Sequence, residues 1–363
     1  MQRKQFLELL TVALSPRLGY EEPKHLKETM KYFAALMAVL VFEAPGRANA
    51  GDWVVYEGEE GPGKGKHIVF VTGDEEYRSE EAMPMLAKIL AVRHGFKCTV
   101  LFPINPADGT IDPNNQTNIV GLKALETADM MVLFARFREP PDDQMKYIVD
   151  FANSGKPILA IRTSTHAFQF ERNKQSRYAK WDWRSKEWPG GFGQKVLGDT
   201  WVSHHGAHGK ESTRGVINDG FKDHPILKGV EDIWGPTDVY GIIHLPQDAK
   251  VLAHGQVLEG MKPDDKPVSG PKNDPTMPLV WIRDYTWENG KTSRVLCSTI
   301  GASVDLESEG LRRLFVNACY WGAGLEEKIP AKSNVDYVGE YKPSFFGFNK
   351  FTKGVKPSEH ELK

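Results

Sequence analysis

From His67 onward the chain alternates between apolar runs of strand length and longer segments with helical spacing. His67–Thr72 is a nearly continuous apolar run closed by Gly73, the pattern of a strand covered on both faces. Ser79 to His94 places Met85, Leu86, Ile89, Leu90 and Val92 along a helical repeat and stops at Gly95, so it reads as a helix. Lys97–Phe102 is a second strand, Ile119–Leu125 a short helix and Met130–Ala135 a third strand. Pro141–Ala152 has Pro near its start and Gly155 just past its end, which marks a helix, and Pro157–Ile161 is a fourth strand.

This order predicts an α/β fold with a doubly wound, mostly parallel sheet, right-handed crossovers and helices on both faces. Helical connections would leave the loop after each strand at one edge, where ligands usually bind. The stretch from Phe170 to Asp223 is irregular and rich in Trp and Gly, as expected of a long functional loop region. Strand-like segments return at Lys250–Gly255, Leu279–Tyr285 and Ser293–Thr299, and Glu309 to Trp321 repeats Leu311, Leu314, Phe315, Ala318 and Cys319 at helical spacing. Residues 326–363 form a tail rich in Lys, Pro, Gly and Phe, expected to lie along the body.

The N-terminal region follows a different logic. Met30-Lys31 opens an apolar run from Tyr32 to Phe42, followed by Ala44 to Ala50 with a small-x-small end. That is the pattern of a secretory signal over 30–50, cut near Ala50, and it predicts an exported protein, periplasmic or extracellular. The run is too short to span a bilayer, which needs about 20 apolar residues. Residues 1–29 read as an extension from an upstream start codon, and the Gly- and charge-rich stretch 51–66 as a linker.

Composition narrows the function classes. The 363 residues are 40% hydrophobic, ample for a large core without covalent staples. Lys and Arg total 46 against 48 Asp and Glu, a formal charge of −2, which provides no basic footprint for nucleic acid. Cys98, Cys297 and Cys319 are too few and too scattered for a disulfide framework or a cysteine zinc site, and read as buried small hydrophobes.

Candidate chemistry gathers in the loops after strands. Gly73-Asp74-Glu75-Glu76-Tyr77-Arg78-Ser79 brings carboxylates and an Arg to a strand end before a helix, suited to binding hydroxyls or anions or to plain capping. The third strand runs out into Arg136, a residue that rarely follows a buried strand without a partner. The fourth ends in Ile161-Arg162-Thr163-Ser164-Thr165-His166, a strand-to-helix turn of the kind that presents a nucleophile. Its central place holds Arg162, which stays protonated and cannot be one. Ser164 and Thr165 read as capping hydroxyls, and His166 as a general base or a satisfied core histidine. His204-His205-Gly206-Ala207-His208 offers three imidazoles in five residues for proton transfer or, in the alternative, a divalent metal. Thr237, Asp238 and Asp305 lie in glycine-flanked loops where they would orient histidines, bind sugar hydroxyls or simply form turns.

Over roughly His67 to Leu325 the sequence resembles the ThuA-like trehalose-utilisation family, whose members share the class I glutamine amidotransferase-like, flavodoxin-like fold. The likeness is carried by Thr72-Gly73-Asp74, the Arg162–His166 turn, His224-Pro225-Ile226-Leu227-Lys228-Gly229-Val230, Thr237-Asp238-Val239-Tyr240, Met277-Pro278-Leu279-Val280-Trp281, Thr299-Ile300-Gly301 and Leu311-Arg312-Arg313-Leu314. The His204-His205-Gly206 segment and the tail Val338-Gly339-Glu340-Tyr341-Lys342-Pro343 are similar to a secreted subgroup of planctomycete type. The resemblance implies a role with sugars or keto-sugars, while Arg162 in place of the amidotransferase Cys argues against glutamine hydrolysis. Family members often carry His at that position and Asp where His166 stands, so this chain departs from any shared His-based chemistry there.

The expectation is therefore an exported carbohydrate-active protein with a small-molecule sugar partner and no organic cofactor. His166, His204 and His205 would move protons. Asp74, Glu75, Tyr77, Arg78, Arg136, Arg162, Thr163, Thr237, Asp238 and Asp305 would bind substrate. A non-catalytic sugar-binding or envelope-associated module, supported by nine Trp, and a metal-dependent hydrolase built on His204, His205 and His208 are the alternatives.

Overall fold

The computed structural model describes residues 51–362, so the expected signal segment and upstream extension lie outside the described residues. In chain order the elements are β1 (Trp53–Tyr56), β2 (His67–Gly73), α1 (Ser79–His94), β3 (Lys97–Leu101), β4 (Met130–Ala135), α2 (Asp142–Asn153) and β5 (Ile158–Ile161). They continue with β6 (Thr213–Ile217), β7 (Ile233–Gly235), β8 (Lys250–Val257), β9 (Met277–Thr286), β10 (Thr292–Ser298) and α3 (Glu309–Gly322). Short 3-10 turns fill many of the connections, among them Leu122–Glu126 and Arg162–His166.

All ten strands join one sheet in the order β1-β3-β2-β4-β5-β10-β9-β8-β6-β7. The central block β3-β2-β4-β5-β10 is parallel, as expected from its helical crossovers. The sheet as a whole is mixed, which corrects the expectation of a mostly parallel one: β1 and the block β9-β8-β6-β7 pair antiparallel, five of the nine neighbouring pairs. The reason is local. No helix separates β8, β9 and β10, and β9 turns directly into β10 through a tight loop in which Trp287 N–H donates to the Lys291 carbonyl at 2.8 Å.

Helices do cover both faces. β2 is buried along all seven residues, with Ile68 and Phe70 packing among Leu86, Leu90, Leu314 and Phe315 of α1 and α3. Val69 and Val71 face Met145, Ile148 and Val149 of α2. Fully burying such side chains stabilises the fold by about 1.5–3 kcal/mol each. Helix ends follow the chain's own signals: Gly95 closes α1 at φ 78°, a conformation glycine adopts without strain, and the Ser308 hydroxyl accepts from Leu311 N–H to cap α3. The stretch read as linker contains β1, whose Tyr56 hydroxyl donates to the His360 carbonyl. The tail lies along the body, with Val335 and Phe346 buried.

Candidate functional site

β2, β4 and β5 are neighbours in the sheet and run in one direction, so the loops after them open on a common edge. Of the five non-glycine residues with clearly positive φ among the described residues, three stand in these loops: Arg78 (61°), Phe137 (51°) and Arg162 (50°). Each such residue costs about 1–3 kcal/mol, and strain of this kind gathers where a structure must aim side chains for function.

Arg162 is fully buried, with its guanidinium between the Tyr77 and Tyr240 rings, 4.5 and 4.1 Å from their centres. Nη1 donates to the carbonyls of Asp238 (2.8 Å) and Thr299 (2.5 Å), and Nη2 to the Tyr77 hydroxyl (3.2 Å) and Asp238 Oδ1 (3.1 Å). It is a clamp joining three loops, and does not face a ligand as the sequence suggests. What it clamps matters. Asp238 is buried, and its two oxygens engage His204 Nδ1 (2.7 Å, to Oδ2) and His208 Nδ1 (3.0 Å, to Oδ1). Burial would raise the Asp238 pKa, but Arg162 and the two imidazoles outweigh it and hold the carboxyl well below the usual range. The same hydrogen bond to Asp238 raises the pKa of His208.

His204 and His166 reach a common cavity of about 30 Å³, room for a water or two. Glu76, Tyr77 and Arg136 line it on the polar side; Phe137, Trp201 and Tyr240 supply aromatic walls. The His166 ring lies 5.6 Å from Trp201 and 6.4 Å from Tyr240, and the His204 ring 5.7 and 5.9 Å from the same two. Burial, with Arg136 and Arg162 nearby, pushes the His166 pKa well down, so the ring is neutral near pH 7. Glu76 is pushed up by burial and by Asp74, although Arg136 (3.8 Å) and His208 (3.4 Å) oppose this. Arg136 is held by Glu75 at 2.5 Å, and Glu75 also pairs with the buried Arg138 at 2.8 Å.

The structure thus brings His166, His204, Tyr77 and Arg136 to one cavity, with Glu75, Asp238 and Arg162 immediately behind it. The other predicted residues are engaged elsewhere. His205 Nε2 bonds the Lys272 carbonyl at 2.7 Å, outside the cavity and outside the His204–His208–Asp238 group. Asp74 caps its own turn, accepting from Glu76 and Tyr77 N–H and from the Thr163 hydroxyl. Arg78 is buried against the tail, donating to the Gly347 carbonyl. Asp305 accepts from Thr237 N–H and hydroxyl and from the N–H groups of Gly301 and Ala302, which makes Thr237 and Asp305 loop anchors.

Glu76 and Tyr240 are site residues that stand within the sequence motifs without being selected there, and Trp201, which adjoins the histidine cluster in the Trp-rich stretch, joins them. Phe137 is similar: its neighbour Arg136 draws attention by its charge. The donors of His204, His208 and Asp238 lie within 4.8 Å of one another, the group among the described residues able to hold a metal ion.

No family model matches this chain, and no curated protein matches it. Among solved structures, a ThuA-like protein from Parabacteroides merdae is similar at 14% identity, covering 72% of this chain and 90% of that one, with a TM-score of 0.47. A ThuA-like protein from Bacteroides uniformis shows 15% identity over 73% and 93% of the two chains, with a TM-score of 0.44. The glutaminase domain of Trypanosoma brucei CTPS shows 12% identity over 74% and 98%, with a TM-score of 0.35. Among the described residues no helix is long and apolar enough to cross a membrane.

Proposed function

We propose that this protein is an exported enzyme that moves protons at the carbonyl-bearing end of a sugar or keto-sugar. The observation that carries the reading is the convergence on one cavity of a neutral buried imidazole, His166, and a second imidazole, His204, oriented by Asp238. When His204 donates Nδ1–H to Asp238, Nε2 keeps the lone pair, the arrangement of an oriented general base. His166 is held unprotonated, so it can hydrogen-bond a substrate group as a neutral ring; the burial and the nearby Arg136 and Arg162 that keep it neutral also weaken it as a base, which leaves His204 as the proton acceptor. Arg136 provides a fixed positive charge for a carbonyl or anionic oxygen. The aromatic walls and the motif resemblance to the ThuA-like family favour a carbohydrate. Arg162 acts as a positioning residue through Asp238, and Tyr77, whose hydroxyl accepts from Arg162 Nη2, helps hold Arg162 in place.

The test is turnover of a panel of glucose disaccharides and their 3-keto forms by the full-length protein. His166→Gln and His204→Asn should each lower kcat by about 10²–10⁴, and His205→Ala should leave it unchanged. Equal turnover by all four proteins contradicts the assignment. Binding of the sugars without conversion would favour the sugar-binding module.

One observation favours a second reading. The compact His204–His208–Asp238 donor set suits a divalent ion and hence metal-dependent hydrolysis. Arg162, 3.1 Å from Asp238 Oδ1, already offsets the charge that such an ion needs, which places the hydrogen-bonded reading first. Elemental analysis after dialysis against zinc or manganese separates them: one equivalent per chain, lost in His208→Ala, would favour the metal.

A further inference from the structure

Most of the irregular stretch between β5 and β6 takes no part in the chemistry above, yet residues 193–200 connect its two imidazoles. Gly193–Leu197 forms one wide turn of π type, closed by Gly198 N–H donating to the Gly193 carbonyl at 3.0 Å. Such turns are rare and gather at functional sites. This one is anchored on the sheet: Val196 and Leu197 are buried, and the Leu197 carbonyl accepts at 2.7 Å from the indole N–H of Trp281, fully buried on β9. On one side it abuts the turn that carries His166. A Cβ at Gly193 would lie 1.8 Å from the Thr165 carbonyl oxygen, so only glycine lets the two backbones approach this closely.

On the other side stands Asp199, fully buried and outside the cavity. Its Oδ2 accepts from the N–H groups of Ile243 (2.7 Å) and His244 (3.0 Å). Its Oδ1 accepts from Thr200 N–H (2.7 Å) and engages His244 Nδ1 (2.9 Å). These four partners compensate the buried carboxylate and fasten 199–200 to 243–244. From there the segments 199–204 and 240–244 run antiparallel, with Gly241 N–H donating to the Ser203 carbonyl at 2.9 Å and His204 bridged to Tyr240. That ribbon carries Trp201, His204 and Tyr240 into the cavity. His166 and His204 are therefore joined twice, once by Arg162 to Asp238 and once through 193–199. A single link leaves freedom to rotate; two fix both distance and angle, and proton transfer depends on such placement. We infer that residues 193–199 form a strut that sets the placement of His204 against His166. Gly193 is its contact with the His166 turn, and Asp199, a positioning residue, is its joint to the His204 ribbon. The inference takes from the reading above only that the two imidazoles act together.

The experiment is histidine-selective NMR of the ligand-free, full-length protein, beside thermal melts and turnover of the sugars named above. Asp199→Ala should shift the His204 resonances and leave those of His166 in place, whereas Gly193→Ala should shift those of His166. Asp199→Asn keeps the side chain's volume and one acceptor oxygen, and should shift His204 in the same direction by less; it decides the matter if Asp199→Ala does not fold. Where wild type turns a sugar over, Gly193→Ala and Asp199→Ala should each lower kcat by about 10²-fold while KM stays within about twofold. Folded variants in which His166 and His204 both keep their wild-type resonances overturn the strut, as does a uniform shift of every histidine, the mark of general loosening. Absence of turnover by wild type would overturn the proposed function and leave the NMR comparison standing.

Discussion

Glu80 sits in the first turn of α1 with its side chain buried and no hydrogen bond to either oxygen; its nearest cation is Arg78 Nη1, at 3.8 Å. Burial pushes its pKa up to about 8. Because the folded-state value lies above the ordinary 4.5, the folded protein prefers the neutral acid. Below about pH 4.5 both states are protonated and the shift has no effect. As pH rises from there toward 8, the unfolded chain releases its proton first and folding becomes progressively less favourable. Glu80→Gln keeps the shape without the titration. Thermal melts should show the variant more stable by a few kcal/mol at pH 8 and much closer to wild type at pH 4.5. Equal stability at pH 8 would mean that the carboxylate finds partners in solution. His166 has the opposite sign: above about pH 6.5 the ring is neutral in both states and its lowered pKa has no effect, and as pH falls from there the unfolded chain takes up the proton first and folding becomes less favourable.

At the scale of elements, the turn after β5 is joined by Arg162 to the loop holding Asp238 and to Thr299 beyond β10. Removing one partner of a buried, hydrogen-bonded ion pair typically costs about 3–5 kcal/mol. Arg162→Met should therefore lower unfolding stability by that order in urea titrations and release His204 from its fixed orientation; a loss below about 1 kcal/mol would show the clamp to be dispensable. The elements themselves were legible to different degrees. α1 and β4 match their predicted limits because a glycine stop and an unbroken apolar run define them locally. β1, β6 and β7 are three to five residues long, and β6 is largely unburied, so only their partner strands make them strands. The antiparallel half of the sheet was foreshadowed by the missing helices between the later strands. In the site, the imidazoles and Arg136 stood out by chemical type, whereas Glu76, Trp201 and Tyr240 became distinguishable only once the loops were folded together. The direction of His205, next to His204 in sequence, depends on backbone pairing of 204–206 with 239–240, which no local pattern encodes.

Across the whole molecule, one continuous sheet links the parallel and antiparallel halves through β10, which pairs parallel with β5 and antiparallel with β9. Cys98 on β3 and Cys319 on α3 are free and buried in one hydrophobic cluster, and Cys297 on β10 is free and buried in the cluster on the other face of the sheet, so the three report on its two sides. Their thiols should react with a soluble disulfide reagent in a single phase that follows global unfolding; early reaction at Cys297 alone, or at Cys98 and Cys319 alone, would show that one face of the sheet opens before the other. The functional account depends on a more local convergence, of the β5 turn with the 204–208 segment around one cavity. Histidine-selective NMR of the full-length protein, titrated with pH and then with the sugar panel, tests this most directly. His166 should remain neutral well below pH 6.5, and a binding sugar should shift the His166 and His204 resonances together while leaving His205 in place. A His166 that titrates near 6.5, or a sugar that moves His205 and neither of the other two, would contradict the account.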